Sequence, residues 1–481
     1  MGSGGSIDKE SRDAYKRHLY SVVASQGQSA QAALAAPSAG SFSVTLALLS
    51  GQEVKVATSP DATVEEVKLS APQDFGKITS LLSGGQVLEN FGTLREAKVQ
   101  DGEILTAVVG RAVKLRANKK TSDWASDSFA LLRSDGTVAT WGESKEGGNS
   151  SYVQDRLVGI EDVVGSQGAF AALRSDGDVV VWGHKDFGLH VAGAKDKLKN
   201  IKQLAATSRA FAALTSEGKV VAWGDANFGG DSSGMEEELV QVKQIVGSLH
   251  AFAAIREDGS VVAWGNPTMG GDCTSVKDQL KNVSEIAASD AAFAALRSDG
   301  SLVAWGSAAH GGELKDTPSN AREVLGSSKA FAALLADGKV FPWGDEDRGG
   351  KAHDEESQEE LKKGSVRRLF SCGRGFAALM ADGTVTGWGQ HLAAQGQTKD
   401  LLQGVCYVAG SFAAFAALKS DGSVVSWGDR NHGAGGSSAS IKDLANIQVI
   451  EGSSEGFAAV REDGKVVFWD RIGQVDCKVT A

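Results

Sequence analysis

The sequence predicts a mainly β protein assembled from about nine copies of one unit, and two observations predict it. Nine times a Phe is followed seven residues later by a Gly that Asp or Glu precedes, and five residues after that by a Trp. The Phe residues are Phe129, Phe170, Phe211, Phe252, Phe293, Phe331, Phe376, Phe415 and Phe457, and the series runs from Gly136 and Trp141 to Gly464 and Trp469. Successive Gly positions lie 41, 41, 41, 41, 38, 45, 39 and 42 residues apart, so every change of length falls between one Trp and the next Phe. A period near forty residues marks a repeat architecture, in which a unit buries its apolar face only by stacking on its neighbours.

Residues 1–40 read as a flexible or helical arm, polar and rich in Ala and Ser, ending in the breakers Ala36-Pro37-Ser38-Ala39-Gly40. The opening Met1-Gly2-Ser3-Gly4-Gly5-Ser6 fits two readings. It is a plain flexible start, or it makes Gly2 a lipidation candidate for myristoylation. One acyl chain gives only marginal, reversible membrane attachment.

Residues 41–110 form a different unit. Alternation in Phe42-Val44-Leu46-Leu48, a Ser50-Gly51 turn and Val54-Val56 predict a hairpin. Ser59-Pro60-Asp61 followed by Val64 and Val67 predicts a helix start. Then come Leu81-Leu82-Ser83-Gly84-Gly85, Thr93-Leu94 and a last strand through Ile104-Leu105-Thr106-Ala107-Val108-Val109. In this order and spacing the segment resembles the ubiquitin-like (β-grasp) fold. The resemblance implies an apolar recognition patch at Leu49, Leu82 and Val108, and as partner a ubiquitin receptor, a ligase or a proteasome component. Val109-Gly110-Arg111 runs straight on where a conjugatable member ends in free Gly-Gly, and Gln86 stands where the family's main chain-linking Lys would be. A built-in, unconjugated domain is therefore expected.

Residues 111–481 begin with a basic connector (Arg111, Lys114, Arg116, Lys119, Lys120) and hold all the repeats. In one of them, Leu239, Val242 and Ile245 are spaced by three, which predicts a single helical turn running into an inner strand. Ala251-Phe252-Ala253-Ala254-Ile255 is a second strand, Asp258-Gly259 a turn needing positive φ, and Val261-Val262-Ala263-Trp264 the return. Small Ala residues beside each Phe let neighbouring sheets approach, leaving the Phe and Trp rings to fill the space between them. These positions are scaffold.

The core AFAAL-x-x-DG-x-VVAWG with a Gly six residues past the Trp resembles the regulator-of-chromosome-condensation repeat. Three strands per unit bring it nearest to compact propellers such as bacterial beta-lactamase inhibitor proteins. The resemblance implies a β-propeller. Seven blades are usual there and nine motifs occur here, so seven to nine blades are expected, with ring closure left open. The family's Gln-Leu-Gly is replaced by pairs such as Gly230-Asp231 and Gly271-Asp272.

Composition narrows function. Net charge is −11, of which residues 111–481 hold 40 basic against 48 acidic residues, or −8, so no broad basic surface is implied and nucleic acid is not expected as a partner. Cys273, Cys372, Cys406 and Cys477 show no metal spacing and suit reduced thiols in the cytoplasm or nucleus. No apolar run approaches the roughly 20 residues of a spanning helix, so a soluble chain is expected, with membrane contact only if Gly2 is acylated.

Enzyme signatures are thin. Gly230-Asp231-Ser232-Ser233-Gly234 and Gly452-Ser453-Ser454-Glu455-Gly456 match G-x-S-x-G, but both fall in repeat loops rather than on a strand-to-helix elbow. No P-loop, HExxH or EF-hand pattern occurs, so no cofactor or metal is expected.

The variable positions lie five residues past each Trp: Glu146, Phe187, Phe228, Met269, His310, Arg348, Ala393 and His432. In the resembling families this position faces a rim where partners dock, which makes Phe187, Phe228, Met269, His310, Arg348 and His432 the candidate binding set for a second protein. The expectation is a monomeric, non-enzymatic adaptor or scaffold linked to the ubiquitin pathway. The alternatives are guanine-nucleotide exchange on a small GTPase and capping of an enzyme as an inhibitor.

Overall fold

The computed structural model describes residues 42–48, 53–62, 64–71, 78–83, 86–88, 93–95, 97–109, 114–117, 128–191, 193–352, 354–393, 397–419, 421–434, 444–445, 447–461, 465–470 and 474–477. Gly2 and Leu49 therefore lie outside the described residues.

Residues 42–109 make a mixed sheet. Strands β1 (Ser43–Leu48) and β2 (Glu53–Ala57) form the expected antiparallel hairpin. Strand β5 (Ile104–Val109) joins β1 in parallel, and β3 (Ile78–Ser83) and β4 (Gln86–Val87) extend the far side in the order β2-β1-β5-β3-β4. A short helix α1 (Val64–Leu69) contributes Val64 and Val67 to a core with Val44, Leu46, Leu81 and Leu105. Strand alternation sends Leu105 and Ala107 inward and leaves Ile104 58% exposed.

Each of the nine repeats forms a three-stranded antiparallel sheet. Blade 1 is Lys114–Ala117, Ser128–Leu132 and Val138–Gly142; blade 4 is Val242–Gly247, Ala251–Arg256 and Val261–Gly265. Blade 9 adds a fourth strand, Gln474–Cys477, outside its outer strand. The middle strand carries the Phe and the outer strand the Trp, cross-strand partners such as Phe252 and Trp264, whose ring centroids are 5.1 Å apart. Leu115, Phe129 and Leu131 of blade 1 pack with Val449, Ala458 and Val460 of blade 9 in one buried cluster, so the ring closes at nine blades. The longest spacing, from Gly338 to Gly383, accommodates helix α2 (Glu355–Lys362), capped by Asp354 accepting from the Ser357 N–H at 2.7 Å.

The helical turn expected ahead of the inner strand is present, the 3-10 turn Ser233–Met235 running on to Leu239, whose N–H donates to Met235 O at 2.9 Å, but the turn ends before Val242, which already begins strand Val242–Gly247. A bulge between Val242 and Gln244 turns Lys243 out of register, so that Val242 and Ile245 both reach the core. Seven other blades carry an equivalent bulge in the inner strand.

The repeat motif is explained by stitches between blades. In blades 2 to 7 the Trp indole donates to the carbonyl of the Gly six residues past the preceding blade's Trp, at 3.0–3.1 Å, as Trp264 does to Gly229. That Gly has positive φ, and a Cβ on Gly229 would lie 2.7 Å from the Phe252 ring. The Phe and Trp of one blade thus clasp a single glycine of the blade before. On the opposite face the turn glycine's carbonyl accepts from the first residue of the next inner strand, as in Val283 N–H to Gly259 at 2.9 Å.

Candidate functional site

The stitching faces fix where variable side chains project. Glu146, Phe187, Phe228, Met269, His310, Arg348 and His432 each end a three-residue 3-10 helix on one face, followed by a glycine of positive φ. A buried hydroxyl at the end of the inner strand pins that helix: Ser166 donates to Phe187 O at 2.7 Å, Thr207 to Phe228 O at 3.0 Å, and Ser289, Ser327 and Ser411 to His310, Arg348 and His432 O at 2.8 Å. In blade 7 Cys372 takes the place of the hydroxyl, its thiol pushed up to about 12 by burial, and Ala393 lies outside any 3-10 helix.

A second ring, missed in the sequence, comes from the loop two residues before each Phe. There Arg209 lies between the rings of Phe187 and Phe228, 5.5 and 5.2 Å from their centroids, and His250 packs on Phe228 at 5.3 Å. Farther round, Arg348 and Arg374 both face Phe412, which also meets His432. The signal was available: this column reads Gly168, Arg209, His250, Ala291, Lys329, Arg374, Ala413 and Glu455, as variable as the column five past the Trp.

Of the expected rim set, Phe187, Phe228, Met269, His310 and Arg348 are half-buried, with one edge open. His432 is only 8% exposed, and its Nδ1 meets Ser454 O at 2.8 Å, so it supports the rim from beneath. Burial, helped for His250 by the nearby His310 and Arg209, holds His250 and His310 below the ordinary imidazole range, so both favour the neutral form.

Inner strands enclose a channel of about 950 Å³. At its mouth a chain of backbone hydrogen bonds passes from blade to blade, from Gln167 N–H to Ser208 O at 2.8 Å round to Gly373 N–H to Ser411 O at 3.1 Å. Inside, Lys114 of blade 1 pairs with Asp162 of blade 2 at 2.5 Å. Burial raises the Glu451 carboxyl to about 7, against the pull of Arg116. These charges join blades to one another.

On the first sheet Leu82 is half-buried beside Thr106, while Val108 pairs in backbone register with Ser80. Ile104, not singled out in the sequence, is an exposed large apolar residue on that sheet face. Neither G-x-S-x-G string forms a strand-to-helix elbow: the first runs into the 3-10 helix Ser233–Met235 and the second leads from the end of strand Ile447–Gly452 into a turn, where Ser453, beside the pattern's Ser454, accepts from Gly456 N–H at 3.1 Å. Among the described residues no three His, Cys, Asp or Glu gather as a metal site, and no helix is long and apolar enough to cross a membrane.

No protein-family model matches the chain, and no curated protein matches it in sequence. Solved structures match in outline. The ectodomain of the receptor kinase CR4 from Physcomitrella patens is 15% identical, with 65% of this chain and 72% of that one covered at a TM-score of 0.38. Prp20p from Saccharomyces cerevisiae is 18% identical, with 68% and 85% covered at a TM-score of 0.38. The computationally designed Ika8 protein is 13% identical, with 75% and 97% covered at a TM-score of 0.36. The nine-bladed ring rests on this chain's own sheets.

Proposed function

We propose that this chain is a non-catalytic recognition protein whose propeller rim docks a protein partner. The observation that carries the reading is the stack Phe187–Arg209–Phe228–His250, in which a guanidinium lies between two aromatic rings on one face. Aromatics and Arg dominate binding hot spots, and rings held in place before docking lose little entropy on it. The first sheet is read as a ubiquitin-like module, supported by its order β2-β1-β5-β3-β4 and its helix after the hairpin. Its surface around Leu82, Val108 and Ile104 would engage a component of the ubiquitin pathway in the cytoplasm or nucleus. The structure of Prp20 bound to Kap60 and the reported binding of Prp20p to Gsp1p and histones concern that protein.

The test is affinity capture with the whole chain, a Phe187→Ala/Phe228→Ala variant and a Leu82→Ala variant, read by mass spectrometry. Loss of one set of proteins with the Phe pair and of ubiquitin-pathway proteins with Leu82→Ala is expected. An unchanged set with both variants overturns the reading. Nucleotide release assayed on a panel of small GTPases separates it from exchange activity.

A further inference from the structure

We propose that the end of the channel opposite the rim binds a compact, soluble polyphosphate. The inner strands of blades 3 to 7 start at that end, with Ile201, Val242, Val283, Ala321 and Val366. The bulge near each start leaves one residue out of register, and in blades 3, 4, 6 and 7 it is Lys202, Lys243, Arg322 and Arg367 in turn. Lys202 and Lys243 border the channel. From two residues ahead of each of these five strands to its bulge residue, the chain adds Lys199 and Lys281 and holds no Asp or Glu. Six cations therefore follow one another along five adjacent blades of a chain whose net charge is −11.

These side chains run from blade to blade around the opening. Lys243 Nζ reaches the Val283 carbonyl of blade 5 at 3.5 Å, and Arg322 Nη2 the Arg367 carbonyl of blade 7 at 3.2 Å. Lys202, Lys243 and Arg322 are exposed, and none of the three is in an ion pair among the described residues. The carboxylates around them are placed elsewhere. Glu285 and Glu323 stand one residue deeper in their strands, and Arg368 as well as Arg322 acts on Glu323. Asp162 is paired with Lys114. The hairpin-turn acids lie beyond the middle strands, where Asp258 and Asp299 accept from the Ser260 and Ser301 N–H groups of their own turns at 2.9 and 3.0 Å. At the bulge positions the acid is Glu161, in blade 2. A phosphate group carries nearly two charges at neutral pH and three strong acceptor oxygens, whereas a carboxylate side chain carries one charge. Cations spaced over five blades match a ligand with several such groups on its surface, and an opening lined by one sign of charge concentrates it.

The experiment titrates the full chain with inositol hexakisphosphate in a calorimeter at two salt concentrations, with hexaglutamate and with vesicles carrying phosphatidylinositol bisphosphate as separate arms. Binding of the soluble polyphosphate that weakens as salt rises is expected. Lys202→Gln/Lys243→Gln keeps both aliphatic stems and should weaken it at least about ten-fold. Glu161→Gln should tighten it several-fold, a gain that misfolding cannot produce. Lys145→Gln/Arg430→Gln, which removes two exposed charges from the 3-10 helices of the rim face, should leave it unchanged. Absence of binding, equal loss in the two double variants, hexaglutamate binding as tightly, or binding to the vesicles alone overturns the proposal. The site lies on the face opposite the rim, so capture of a Phe187/Phe228-dependent partner would survive that failure.

Discussion

Trp264 donates its indole N–H to the carbonyl of Gly229 at 3.0 Å, across a blade boundary and 35 residues along the chain. Trp264→Phe keeps a ring stacked on Phe252 and removes this bond, so a loss of about 1 kcal/mol is expected from the bond alone. Denaturant unfolding measures it.

Gly229 tests the same clasp from the other side. Its φ is 86°, and the added Cβ would sit 2.7 Å from Phe252 Cδ2. Gly229→Ala is expected to cost about 2–4 kcal/mol, from left-handed strain plus overpacking. Gly234→Ala, with nothing within 4 Å of the new methyl, should change stability by under about 0.5 kcal/mol.

The seam should open first. Trp141 and Trp469, in the first and last blades, have indole N–H groups without a hydrogen-bond partner among the described residues. Amide exchange is therefore expected to be fastest in Ser128–Leu132 and Phe457–Arg461 and slowest in Ala251–Arg256 and Ala292–Arg297. Mass-resolved hydrogen exchange checks the order, and uniform protection would refute it.

Lys114 and Asp162 join blades 1 and 2 from inside the channel. Removing one partner strands a buried charge, so Asp162→Ala should cost about 3 kcal/mol. Glu236→Ala, which breaks an exposed pair with Lys197 at 3.0 Å, should cost less than about 1 kcal/mol.

Glu451 gives a pH signature. Its folded value, about 7, lies above the ordinary 4.5, so the folded state holds its proton more tightly than the unfolded state does. The stability this lends is fully present below about pH 4.5 and is lost as pH rises through 7. Glu451→Gln should therefore gain on the native protein by the order of 1–3 kcal/mol between those limits. Thermal melts at pH 5 and 8 read the difference, and a constant gap would refute it.

The scaffold was legible because Phe, the turn Gly and Trp repeat for reasons local to each unit: positive φ, ring volume and strand pairing. Ring closure was not, since it depends on Leu115 meeting Val449 across more than 300 residues. The rim column five past the Trp was legible as variation, but its partners Arg209, Arg374 and Phe412 were not. They lie in another loop, brought alongside by the fold. His432 looked like the other rim positions in sequence, and only packing against Phe412 and Ser454 distinguishes it.

Because the same Trp-to-Gly stitch recurs from blade 2 to blade 7, each of these blades fits the one before it in the same way. Such an interface is heterologous and repeats head to tail within one chain. The recognition side chains stand outside it. A rim position can consequently be changed without breaking a stitch, and the change is felt instead along the rim, as at Phe228, which packs on Arg209 of its own blade and His250 of the next.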